Sequence, residues 1–257
     1  MRPRGYFFCF PDLKGSPAGK LTESSRADLS RLPIADCQSP VCYCIPMPTS
    51  RDLLLNMLAH KSFRLGEFKL SSGGTSDYYI DCRTTTLDAE GIRLTGRVFL
   101  DLIQSKRWKP AAIGGLTMGA DPIVCAVALL TSQSVQTRAP ARPKPVDVAQ
   151  FLIHGFLVRK QEKAHGTGRR IEGFQEKGAR VVIVDDVCTT GSSTIQAIEA
   201  AREFGFEIAG VACLVEREEA GGRPAVEKAA GPAEFVSIFK AAEVRVAHVA
   251  KEKSVSG

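Results

Sequence analysis

Residues 180–194 read Arg180-Val-Val-Ile-Val-Asp185-Asp186-Val-Cys188-Thr189-Thr190-Gly191-Ser192-Ser193-Thr194. The apolar run has no polar alternation, which is the pattern of a strand buried on both faces, as strands of parallel sheets are. Two acids end the run, and a small, hydroxyl-rich stretch follows it and opens a helix over Ser193–Phe204. Outward from this stretch the same rhythm repeats. Upstream lie a β-rich segment (Phe68–Cys82), a helix (Ala89–Ser105), a short strand (Ala111–Gly114), a helix (Gly119–Leu130) and a strand (Phe151–Val158). Downstream comes a further strand, Ile208–Val215. Strands that alternate with helices predict an α/β fold with a central parallel sheet. The stretch Thr131–Pro145, with its Pro, Ser and Arg residues, is expected to be a surface loop.

In parallel sheets ligands bind beyond the carboxyl ends of the strands, so Asp185 and Asp186 are expected where a substrate sits. The helix that follows offers free N–H groups and the positive end of its dipole, and Gly191 lets a ligand approach the backbone. Paired acids beside an anion cradle suit a ligand that carries both a diol and a phosphate, as ribose 5-phosphate does. The acids would accept hydrogen bonds from ribose hydroxyls and help hold a hydrated Mg²⁺, while the loop takes the phosphate. The plainer reading is a strand that ends in Asp-Asp and a helix capped by hydroxyls. A nucleotide-binding Walker loop needs a Lys after its last Gly, and a dinucleotide fingerprint needs Gly-x-Gly-x-x-Gly; this string has neither.

The 257 residues are 44% hydrophobic and 24% charged, an ordinary globular composition with room for one main domain. A net charge of +6 does not by itself choose among nucleic acid, membrane surface and phosphorylated small molecule. Four of the eight cysteines (Cys9, Cys37, Cys42, Cys44) lie in the first 44 residues, and Cys82, Cys125, Cys188 and Cys213 are scattered in apolar or strand-like stretches. That usage fits reduced thiols in a cytoplasmic protein better than a disulfide framework. No run reaches the roughly 18 apolar residues of a membrane span, and the N-terminus lacks the apolar run of a secretory signal. Residues 1–46 carry six prolines and no sustained periodicity, and are read as a poorly ordered extension or the result of a start placed too far upstream. Met47-Pro-Thr-Ser then opens an amphipathic helix that Thr49 or Ser50 can cap. The main domain is expected over 47–250, with a tail over 251–257.

The 180–194 string resembles the phosphoribosyl pyrophosphate (PRPP) motif of type I phosphoribosyltransferases, and three further stretches narrow the resemblance to orotate phosphoribosyltransferases. Phe68-Lys-Leu-Ser-Ser-Gly-Gly-Thr-Ser-Asp-Tyr-Tyr-Ile-Asp81 is similar to the strand pair of their hood, here about 50–88. Gly114-Gly-Leu-Thr-Met-Gly-Ala-Asp-Pro122 resembles their pyrophosphate loop. Arg159-Lys160-Gln-Glu-Lys163-Ala-His165-Gly166 resembles their catalytic loop, and is the most specific piece. The resemblance implies transfer of ribose 5-phosphate from PRPP to orotate, in pyrimidine biosynthesis. It implies that Arg159, Lys160, Lys163 and His165 contact PRPP, and that Asp185, Asp186, Val187, Cys188, Thr189, Thr190, Gly191, Ser192 and Ser193 bind its ribose and 5-phosphate. Lys163, His165, Asp185 and Asp186 would serve catalysis. Thr189 and Arg217 would meet orotate, with Tyr79 and Ile80 lining the base pocket. Mg²⁺ would be held mainly by PRPP and water, with the Asp pair acting through that water. A homodimer would share its sites, each loop serving the neighbouring subunit.

The loop also stands on its own charges: between Arg159 and Glu172 five basic residues (Arg159, Lys160, Lys163, Arg169, Arg170) face two acids (Glu162, Glu172), with glycines at 166 and 168. Folded over a bound pyrophosphate it would neutralise the leaving group and exclude water. Some relatives carry a Lys where this chain has Ser71, a Tyr-Lys pair where it has Thr117-Met118, and an acid where it has Ala164. Basic contacts to pyrophosphate are therefore expected to be fewer. The rivals are a purine phosphoribosyltransferase, which would lack the Arg-Lys-x-x-Lys-x-His-Gly element and Arg217, and a PRPP-sensing regulator, which would bring a DNA-binding module. Neither nucleic acid nor membrane is expected as a partner.

Overall fold

The computed structural model describes residues 47–69, 74–138, 152–160 and 170–255, all within one compact unit over 46–257. The chain enters at helix α1 (Ser50–Met57), whose start is fixed by a reciprocal cap: Thr49 Oγ1 accepts from the Asp52 amide at 3.2 Å, and the Thr49 amide donates to Asp52 Oδ2 at 2.9 Å. A turn of π-helix leads into the antiparallel hairpin β1 (Phe63–Lys69) and β2 (Thr75–Ile80). Then follow α2 (Arg83–Thr86), α3 (Ala89–Ser105), β3 (Ala112–Leu116), α4 (Asp121–Arg138), β4 (His154–Val158) and β5 (Ile171–Gly173). The chain continues through β6 (Arg180–Cys188), α5 (Ser192–Phe204), β7 (Glu207–Glu216), α6 (Arg223–Ala230), β8 (Phe235–Lys240) and α7 (Ala241–Val255).

Among the described residues six strands form the main sheet in the order β5-β4-β3-β6-β7-β8, parallel except for β5, which runs antiparallel along β4. The two faces carry separate cores because side chains alternate along each strand. Val182 and Val184 of β6, with Ala212 and Leu214 of β7, pack under α1, α3, α4 and α7; Val181 and Ile183, with Val211 and Cys213, pack under α5 and α6. α3 begins where Asp88 Oδ1 accepts from the Glu90 and Gly91 amides, both at 3.0 Å, and its Leu94, Phe99 and Ile103 are buried. No helix among the described residues is long and apolar enough to cross a membrane.

Three expectations are corrected. α4 runs to Arg138, so residues 131–138 are helix rather than loop. The hydroxyls there bond back to the preceding turn, Thr131 Oγ1 to Ala128 O and Ser134 Oγ to Leu130 O, and so leave the helix intact. The charge-rich segment before β6 contains β5, whose three residues are too few to show a period. The chain beyond Val215 adds α6, β8 and α7, and the last helix continues to Val255, into the stretch expected as a tail. Residues 1–46, Ser71, Lys163, Ala164 and His165 lie outside the described residues.

Candidate functional site

β6 delivers Asp185 and Asp186 to the carboxyl edge of the sheet. Asp185 is only 5% exposed. Its Oδ2 accepts from Thr194 Oγ1 at 2.9 Å and its Oδ1 from the Asp186 amide at 3.0 Å, while Asp186 Oδ1 accepts from the Val187 amide at 2.8 Å. Burial first, and then the Asp186 charge, push the Asp185 carboxyl up to about 7. Burial also raises Asp186, against the amide of Val187 and the nearby Arg83 charge, which favour its ionised form. Two acids that resist sharing charge are prepared for a ligand that brings hydroxyl donors or a cation.

The loop Thr189–Gly191 turns directly into α5. Gly191 has φ +77°, in the left-handed region, and a Cβ there would stand 2.3 Å from Val226 Cγ2 of α6, so both backbone and space require glycine. Among the described residues no side chain caps this helix, which leaves its first amides for an anion. Thr190 and Ser192 are exposed beside them, and Thr189 and Ser193 are half-buried. The turn after β3 closes on the same point: a Cβ on Gly119 would fall 2.4 Å from Asp186 Oδ1. The structure thus brings the expected pyrophosphate loop onto the acid pair. The Thr117–Met118 peptide in that turn is cis.

The expected catalytic loop leaves and rejoins the sheet at one place. Arg159 donates its amide to Arg170 O at 2.9 Å, its guanidinium reaches Glu172 at 3.3 Å, and Val158 pairs with Ile171 across β4 and β5. Arg159 and Lys160 stand at the foot of this loop, at the end of β4.

Arg217 follows β7, and its amide donates to Cys188 O at 2.9 Å, which ties it to the start of the phosphate loop. Its side chain is buried, yet the hydrogen bonds it makes come from the hood: Nε to Tyr78 Oη at 2.9 Å and Nη2 to Ser76 Oγ at 3.0 Å, with Nε also meeting Glu219 Oε1 at 3.0 Å. The guanidinium carbon lies 4.5 Å from the Tyr78 ring centroid, and that ring stacks on Phe63. Tyr79 and Ile80, expected together at the base pocket, point to opposite faces of β2, as neighbours on a strand must. Ile80 is buried in the core, while Tyr79 is 43% exposed and its ring meets Phe68. Tyr78 is the aromatic that the structure brings to Arg217. The Asp77-Tyr78-Tyr79-Ile80 alternation carried that signal, since Tyr78 shares the face of the buried Ile80. Ser76, Glu219 and Arg83 had no comparable mark.

Residues 93–230 match the family model described as a phosphoribosyl transferase domain. The orotate phosphoribosyltransferase of Aquifex aeolicus is 41% identical over 197 residues, 76% of this chain and 97% of the relative. Among solved structures, orotate phosphoribosyltransferase of Mycobacterium tuberculosis H37Rv in complex with Fe(III) dicitrate is 35% identical, with a TM-score of 0.59 over 76% of this chain and 99% of that one. The same enzyme in complex with PRPP is 32% identical, with a TM-score of 0.56 over 76% and 99%. The mostly parallel sheet flanked by helices is that of a type I phosphoribosyltransferase fold, and the chain belongs to the orotate phosphoribosyltransferases.

Proposed function

We propose that this protein transfers ribose 5-phosphate from PRPP to N1 of orotate, giving orotidine 5′-monophosphate and pyrophosphate in the synthesis of UMP. One observation carries the reading. The phosphate loop and Arg217 are joined by a backbone hydrogen bond, so an anion cradle and a buried guanidinium with open donors face one ligand from adjacent strand ends. The 5-phosphate sits on the uncapped start of α5, and Thr190, Ser192 and Ser193 add hydroxyls. Asp185 and Asp186 accept from the ribose hydroxyls. Arg217 takes the orotate carboxylate by charge-assisted bonds, with Thr189 beside the base.

As N1 approaches C1, the C1–O bond breaks, its electron pair leaves with pyrophosphate, and the ribose passes through oxocarbenium character. Arg159, Lys160, Lys163 and His165 contact PRPP, and Lys163 neutralises charge on the departing group. Among the described residues no group of three or more His, Cys, Asp or Glu gathers to hold a metal. Two carboxylates without a third partner fit Mg²⁺, which is commonly bound through one or two carboxylates, substrate phosphates and retained water. When bound, that ion would offset pyrophosphate charge. The working unit is a homodimer with the 159–172 loop contributed in trans. The setting is the cytoplasm, in keeping with free thiols at Cys82, Cys125, Cys188 and Cys213.

The test is consumption of orotate in the presence of PRPP and Mg²⁺, run beside adenine, hypoxanthine and uracil. Orotate should be consumed and the others left; preference for any of them overturns the assignment.

A further inference from the structure

Arg217 is held on one side only. A guanidinium has five N–H donors in a fixed fork, and a carboxylate can dock on it side-on, through Nε and one Nη, or end-on, through Nη1 and Nη2. In this structure the Nε donor is shared between Tyr78 Oη and Glu219 Oε1. Ser76 Oγ takes one donor of Nη2, and among the described residues nothing engages Nη1. The side-on approach is therefore filled by the protein's own groups, and the end-on pair is open.

We propose that Glu219 and Tyr78, with Ser76, are positioning residues that lock the Arg217 guanidinium so that it receives the orotate carboxylate end-on. This inference rests on the assignment of Arg217 to that carboxylate. The lock is closed on itself: the Tyr78 hydroxyl accepts from Arg217 Nε and donates to Glu219 Oε1. Burial, reinforced by the Glu219 hydrogen bond, lifts the Tyr78 hydroxyl to about 12, so it keeps its proton and serves as both donor and acceptor. Burial of Glu219 works against its charge, but the Tyr78 and Arg217 hydrogen bonds outweigh it and keep the carboxyl ionised. The guanidinium carbon lies over the tyrosine ring, 4.5 Å from its centroid, and that ring is itself stacked 5.0 Å from Phe63, so the group that holds the fork is held in turn. Glu219 could instead compete with the substrate for Arg217. Its placement on Nε, away from the open pair, and a side chain that is 54% exposed and hence screened by water, favour the positioning role.

The discriminating measurement is the set of KM values for orotate and PRPP, with kcat, for Glu219→Gln, Tyr78→Phe, Arg217→Ala and the double variant Glu219→Gln with Arg217→Ala. Both single changes keep the shape of the side chain, and thermal unfolding of each variant reports any loss of folding. Glu219→Gln and Tyr78→Phe should each raise the orotate KM about tenfold, the size expected for a lost hydrogen bond to a charged group, with the PRPP KM and kcat nearly unchanged. In the Arg217→Ala background Glu219→Gln should add nothing, because it acts only through Arg217. A normal or lowered orotate KM in Glu219→Gln, where Arg217→Ala raises it, overturns the positioning role and leaves the assignment of Arg217 standing. An unchanged orotate KM in Arg217→Ala overturns the assignment itself, and the lock with it.

Discussion

Asp185 is a single carboxyl that the fold keeps buried at a cost to its charged form. Its folded-state value of about 7 stands above the ordinary 3.8, so between those two values the folded protein holds a proton that the unfolded chain has released. Stability from this group is full at low pH and is lost as pH rises through that window, by at most about 4 kcal/mol. Asp185→Asn can keep both hydrogen bonds, accepting from the Asp186 amide and donating to Thr194 Oγ1. The variant should therefore melt higher than the parent at pH 8 and at nearly the same temperature at pH 4, while turnover falls at least a hundredfold. Melting curves at the two pH values, with an orotate assay, check both halves; a lower Tm at pH 8 would show that the ionised acid stabilises the fold. The placement of Asp185 and Arg217 at the carboxyl edge of the sheet was readable because each comes at the end of an apolar strand. Two of the partners of Arg217 were hidden for a topological reason: Tyr78 and Ser76 lie 139 and 141 positions away, and no local pattern spans that distance.

Among the elements, the ones that declared themselves are buried on both faces or strongly amphipathic. β6 was legible from Val181–Val184 alone, and α3 from apolar residues recurring along its length, of which Leu94, Val98, Phe99 and Ile103 are buried. The second half of α4 was missed because Thr131 and Ser134 look like loop residues until their hydroxyls find carbonyls in the preceding turn. α5 and α6 meet at Gly191, where the left-handed backbone and the contact with Val226 both resist a side chain. Gly191→Ala should lower stability by about 1–3 kcal/mol and raise the KM for PRPP more than that for orotate. Val226→Ala in the same chain relieves the collision but not the dihedral, so it should recover part of the loss and not all of it. Denaturant unfolding of the single and double variants measures the split; full recovery would mean that only space, and not φ, is at stake.

Over the whole molecule, residues 46–257 form one compact unit, which leads us to expect that deleting residues 1–46 changes neither Tm nor turnover appreciably. A fall of several degrees would show that the extension joins the fold. The shared active site proposed above has a sharper consequence. Lys163→Ala removes the cation proposed to neutralise the leaving group, and Asp185→Asn with Asp186→Asn damages the pocket, so each protein alone should be nearly inactive. Once subunits exchange, a mixed dimer has one site with both acids and an intact Lys163, and activity should return. Silence after demonstrated exchange would place the loop in cis. The pairing of β5 with β4 bears on the cost of such a loop. Bringing together the ends of a segment of about ten residues costs on the order of 2 kcal/mol of chain entropy, and here that cost is met once, at folding, by the Arg159–Arg170 hydrogen bond and the strand pair beneath it. Substrate affinity is not drawn on to join those ends again at each turnover. Because this entropy grows only with the logarithm of length, a change in the length of the 161–169 segment should alter the stability of the sheet below only slightly, whatever it does to the reach of Lys163 and His165.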